Sequence, residues 1–159
     1  MRIWLIEDNE LQAAHAAKCI WSVAKIKLGK DYPRSLELYW DATIEWKPTF
    51  RLMNEARSEA PANAVDRPPH IVILDLFNAR GFFAEQFLGS LRNWELSLSG
   101  RPAWVILWSV NPGLQEVARF LDKEPRRDRH LIATQTKQPS VLSEKILGCW
   151  QSWEEEQYP

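Results

Sequence analysis

Cysteine is scarce in this chain of 159 residues, neither sign of charge is in surplus, and no apolar run is long. The two cysteines, Cys19 and Cys149, supply neither a disulfide framework nor the spacing of a zinc site. Both fall on apolar positions of helical patterns, where a thiol behaves as a small buried hydrophobe. Lys and Arg number 20 against 21 Asp and Glu, a formal net charge of -1. That balance removes the global electrostatic case for nucleic acid or an anionic membrane as a direct partner. Arg126, Arg127 and Arg129, interrupted by Asp128, read as a solvated loop. No apolar stretch approaches the roughly 20 residues that span a bilayer. The N-terminus opens straight into a strand pattern instead of a signal peptide, so the expected location is cytoplasmic.

Hydrophobic residues make up 45% of the chain and charged residues 26%, the balance of an ordinary globular protein, and one domain over 1–159 is expected. Tryptophan is frequent, at nine. Most of these rings are expected in the core, with a few on an exposed face available to partners.

The four aliphatic residues at 71–74 read as a buried strand of a parallel sheet, and they end at Asp75. A charge where such a run stops is costly unless something pairs with it. The run at 3–6 ends in the same way, at Glu7-Asp8. Asn9 then stands as an N-cap with Gln12 three positions on, and Gly29 closes a helix carrying Leu11, Ala14, Ala17, Trp21 and Ala24. Leu36, Leu38 and Trp40 alternate with Glu37 and Tyr39, which predicts a second strand with one face less covered. Pro48 opens an expected helix to about residue 59, and the Ala/Pro/Asn-rich stretch up to Pro69 is a loop.

After Asp75 the pattern predicts a short loop closed by Gly81 and a helix over 82–98. A strand at 104–108 ending at Ser109, a turn at 111–113 and a short helix to Leu121 follow. A strand at 130–134, then Lys137-Gln138-Pro139, and a last helix with a frayed acidic tail at 154–156 complete the chain. Alternating strands and amphipathic helices make an α/β fold, a doubly wound (βα)5 parallel sheet covered on both faces.

Ligands of open α/β sheets bind beyond the carboxyl ends of the strands. Collected there are Glu7, Asp8, Asp75, Ser109 and Lys137. Each has a plain structural alternative: Asp8 and Ser109 as helix caps, Lys137 as a surface lysine. Together they are chemically complete for phosphoryl acceptance. Clustered carboxylates repel unless a cation joins them, and an all-oxygen acidic pocket suits Mg2+. A carboxylate can attack phosphorus to form an acyl phosphate, while a hydroxyl and an ammonium hold the remaining oxygens.

The opening Ile3-Trp4-Leu5-Ile6-Glu7-Asp8-Asn9-Glu10 resembles that of two-component response-regulator receiver domains, the CheY-like family. The resemblance runs on through Val72-Ile73-Leu74-Asp75-Leu76, Ile106-Leu107-Trp108-Ser109 and Lys137. It implies a flavodoxin-like sheet of order 2-1-3-4-5, with Asp75 the phosphoacceptor, Ser109 the switch hydroxyl and Lys137 the phosphate contact. Glu7, Asp8, Asp75 and the backbone carbonyl of Phe77 would hold Mg2+. A histidine kinase or phosphotransfer protein would be the donor, with no enzyme activity beyond self-catalysed acceptance and hydrolysis. This chain departs from the family in four places. Asp8 and Asp75 stand further apart, with the enlargement placed in 42–69. The usual Met-Pro after the acceptor is missing. Gln138 separates the lysine from Pro139, and Thr134 occupies the aromatic switch position.

Three functions follow. In the first, the chain is a phosphoacceptor switch acting by protein contact or homodimerisation through the face containing the fourth and fifth helices, with no output domain expected. In the second, it is a pseudo-receiver scaffold. A Mg2+ hydrolase, the third, needs an acid/base carboxylate just past Asp75, where Leu76 and Phe77 stand instead. The stretch at 60–69 is expected beside the pocket, restricting donors.

Overall fold

The computed structural model describes residues 1–32, 34–42, 46, 51–52, 67–78, 81–98, 100–108, 115–134 and 137–157. Five parallel strands form its centre: β1 (Arg2–Ile6), β2 (Glu37–Asp41), β4 (Ile71–Asp75), β7 (Trp104–Trp108) and β8 (Leu131–Thr134). Their spatial order is β2-β1-β4-β7-β8, the doubly wound 2-1-3-4-5 arrangement. A two-residue strand, β3 (Arg51–Leu52), extends the sheet by pairing antiparallel with the outer edge of β2. That pairing replaces the helix expected over 48–59 at these two positions; the rest of that expectation lies outside the described residues.

The helices are α1 (Glu10–Leu28), α2 (Ala84–Ser97), α3 (Gln115–Arg127) and α4 (Pro139–Gln157). Strand alternation explains why the central runs are apolar throughout. Ile3, Leu5, Ile71, Ile73, Ile106 and Trp108 face a layer built with Ala13, Ala17 and Ile20 of α1 and Leu142, Ile146 and Trp150 of α4. Trp4, Ile6, Val72, Leu74, Val105 and Leu107 face the other layer, built with Phe87 and Leu91 of α2 and Val117 and Phe120 of α3. Both faces of β2 are covered as well, since Leu38, Tyr39 and Trp40 are all buried. The less covered face expected there does not exist, because Trp4 and its neighbours pack against Tyr39. All nine tryptophans are buried or half-buried, with Trp21, Trp46, Trp94 and Trp104 keeping part of their surface in solvent.

Helix ends follow local chemistry in α1. Asn9 Oδ1 accepts the Gln12 N–H at 3.0 Å, and Gly29 adopts φ +53° while its N–H donates to the Lys25 carbonyl. Between β4 and α2 the chain departs from the expected plain loop. It forms a small hairpin of β5 (Phe77–Asn78) and β6 (Gly81–Phe82), and Gly81 takes φ +123°, a conformation open to glycine. The Leu76 carbonyl accepts the N–H groups of Phe83 and Ala84, which starts α2 at Ala84 rather than Phe82.

Helix α3 continues past Leu121 and carries Arg126 and Arg127 in its last turn, where basic charge suits the helix C-terminus. These arginines were expected in a loop. The turn expected at 111–113 lies outside the described residues. The acidic tail is also not frayed. Glu154 accepts from Lys27 Nζ and, at 2.9 Å, from Trp150 Nε1, while Glu156 meets Arg101 at 3.0 Å and His130 Nε2 at 3.2 Å. Cys19 and Cys149 are buried, as expected. Among the described residues, no helix is long and apolar enough to cross a membrane.

Candidate functional site at the carboxyl rim of the sheet

Parallel register decides what meets at this rim. β1 and β4 are neighbours with Ile6 opposite Leu74, so the next residues, Glu7 and Asp75, leave the sheet side by side. Asp75 in turn lies opposite Trp108, and Trp108 opposite Thr134. The carboxylates of Glu7, Asp8 and Asp75 each present an oxygen, and these three oxygens lie within 4.8 Å of one another. Lys137, which follows β8, reaches the same place: its Nζ is 2.9 Å from Glu7 Oε2 and 3.6 Å from Asp75 Oδ1. The intervening Gln138 therefore does not turn the lysine away.

Glu7 has no exposed surface and is held on every side. Its Oε1 accepts the Asn9 N–H at 2.9 Å, its own N–H donates to the Asp41 carbonyl, and its carbonyl accepts Trp40 Nε1 at 2.7 Å. Asp8 is exposed, and Asp75 keeps 7% of its surface in solvent. Asp75 Oδ1 also accepts the Leu76 N–H at 2.8 Å. Burial, reinforced by the charge of Asp75, pushes the Glu7 carboxyl up to about 7 against the opposing hydrogen bond from Lys137. Burial raises Asp75 as well, with the Lys137 charge opposing. One ammonium does not balance two enclosed carboxylates and a third at the surface.

The donor set fits a hard divalent cation. It consists of carboxylate oxygens alone, close together, with a solvent-facing side at Asp8 that leaves room for water, and Mg2+ binds in such surroundings. The residues Glu7, Asp8 and Asp75 would hold it, and its charge would offset the cost of ionising the two enclosed carboxyls.

Of the residues expected at the site, Glu7, Asp8, Asp75 and Lys137 are brought together. Phe77 stands two positions past Asp75 as the first residue of β5, its ring 5.8 Å from that of Phe82. Ser109 lies outside the described residues, as do residues 60–66 of the stretch expected to restrict donors. The described end of that stretch is at the opposite rim, where Arg67 pairs with Glu37 and the Pro68 carbonyl accepts Arg2 Nη1.

Sequence reasoning missed three contributors. Trp40 and Asp41 brace Glu7 from β2, and the Trp108 ring lies under the Lys137 ammonium, centroid to Nζ 4.5 Å. A signal for Asp41 existed, since it too is an acid where an apolar run stops. None existed for the Trp108 contact, which depends on the register of two strands.

No protein-family model matches the chain, and no curated protein matches it. The (βα)-type parallel sheet and the acidic cluster, which resembles a CheY-like phosphoacceptor site, therefore carry the likeness on their own.

Proposed function

We propose that this chain is a receiver-type signalling module that accepts a phosphoryl group on Asp75 from a histidine kinase or phosphotransfer protein. One observation carries the reading: three carboxylates converge with a lysine ammonium at the rim where doubly wound folds bind ligands. An Asp75 oxygen attacks phosphorus, the phosphorus–nitrogen bond of the donor phosphohistidine breaks, and the leaving imidazole takes up a proton. The product is an acyl phosphate, and its hydrolysis returns inorganic phosphate and the free carboxylate.

In this reading Glu7, Asp8, Asp75 and the Phe77 carbonyl hold Mg2+, which supplies charge neutralisation when bound. Lys137 is already within 3.6 Å of Asp75 and shifts to a phosphoryl oxygen. Ser109, the residue after β7, supplies the hydroxyl. The output is a protein contact, with a downstream protein or a second copy, on the face formed by α3, β8 and α4. The site acts on its own phosphoryl group rather than turning over a separate substrate.

The amine of Lys137 bridging Glu7 and Asp75 also favours a second reading, in which the ion pair itself holds a non-phosphorylated scaffold closed. Intact-mass spectrometry after acetyl phosphate and Mg2+, with Asp75→Asn as control, decides between them. Gain of one phosphoryl mass that the control lacks supports acceptance. An unchanged mass, together with no spectral response to beryllofluoride, leaves the scaffold reading.

A further inference from the structure

We infer that Trp108 is a positioning residue for phosphoryl acceptance, holding the Lys137 ammonium beside Asp75 through the face of its indole. The inference rests on the phosphoacceptor reading and adds a residue to it. Trp108 is the cross-strand neighbour of Asp75 and is 1% exposed. The Lys137 Nζ sits 4.5 Å from its ring centroid while donating to Glu7 at 2.9 Å. The amine is thus fixed from two sides, and its distance of 3.6 Å to Asp75 is short of a full hydrogen bond. It waits next to the acceptor, a small movement away from an oxygen on a newly attached phosphoryl group.

The identity of the residue argues for a role beyond filling space. The Trp108 Nε1 is buried and has no hydrogen-bond partner among the described residues. A buried donor left unsatisfied is a cost that Phe or Leu at this position would not carry. What indole offers over both is the most favourable face for a cation, and the attraction grows when the pair is desolvated, as here. A lysine side chain has many rotamers, so restraining it before reaction removes an entropic cost from the transfer step.

Trp108→Phe, Trp108→Leu and the parent chain are compared in two ways. Proton shifts of the Lys137 ε-methylene, read by NMR without donor, report the indole ring current. They are expected upfield in the parent, less so in the Phe variant and at ordinary values in the Leu variant. Labelling by acetyl phosphate with Mg2+ is expected about tenfold slower in the Leu variant and within about threefold of the parent in the Phe variant. Urea unfolding of each variant shows that it is folded under the labelling conditions, so slower labelling there is not a folding defect.

A Leu variant that labels at the parental rate, or keeps the upfield shift, overturns the inference. Should the Leu variant not fold, a parent chain whose Lys137 ε-methylene protons lie at ordinary values overturns it equally. A parent chain that takes no phosphoryl group sinks the phosphoacceptor reading instead. The ring-current comparison then still decides whether Trp108 holds the amine.

Discussion

Lys137 Nζ and Glu7 Oε2 are 2.9 Å apart although 130 positions separate them in the chain. The bond joins the last segment of the fold to the first across the rim of the sheet, and Glu7 is without exposed surface there. Removing either partner leaves the other enclosed, so the pair organises both the stability of the rim and its chemistry.

Lys137→Met should destabilise the fold by about 3 kcal/mol at pH 8, where an unpaired Glu7 carboxylate is most costly. Adding Glu7→Gln to that variant should recover most of the loss, because the remaining side chain carries no charge. Urea unfolding of the parent, both single variants and the double variant measures the coupling.

Without a divalent ion, stability should fall as pH rises. Folded Glu7 keeps its proton up to about pH 7 against an ordinary value of 4.5. Folding therefore takes up a proton between those values. The stability contributed is complete below pH 4.5 and is lost as pH climbs through about 7, on the order of 3 kcal/mol in total. Asp75, raised in the same direction, adds to the slope. Glu7→Gln should flatten the profile, measured by denaturant unfolding between pH 4.5 and 8.

Mg2+ should act with the opposite pH dependence, since its ligands must be deprotonated. At ten times its dissociation constant it should add about 1.4 kcal/mol at pH 8 and much less at pH 5. Asp8→Asn and Asp75→Asn should each remove most of the effect. Thermal unfolding after EDTA treatment, followed by Mg2+ titration, reads it.

Phe120→Ala should cost about 3 kcal/mol and loosen α3 selectively. Helix α3 buries only Val117 and Phe120 among its side chains, and Phe120 stacks edge-on against Phe82 of the small hairpin at 5.1 Å. Hydrogen exchange should show α3 amides losing protection while those of β1 and β4 keep theirs.

Much of the fold was legible in the sequence for a simple reason. Residues 71–74 are apolar at both odd and even positions because helices cover both faces of the strand, and a one-sided sheet would have shown alternation. Asn9 and Gly29 likewise announced the ends of α1, since capping involves neighbours a few positions away. The errors fell where partners are distant. The alternation at 36–40 looked one-sided, yet Tyr39 packs into the layer with Trp4. Three consecutive glutamates read as a solvated tail, yet Lys27 meets Glu154, and Arg101 and His130 meet Glu156, all from other elements.

The sequence by itself determined the alternation of strands and helices, and the arrival of Glu7, Asp8 and Asp75 at strand ends. Periodicity and capping depend on residues within a turn or two. Tertiary structure decided the rest: the hairpin after Asp75, the reach of Lys137 and the indole beneath its ammonium. The last two depend on parallel register, which sets distances between residues that local pattern never compares, and the hairpin depends on the Phe82 ring packing against Phe120 of α3.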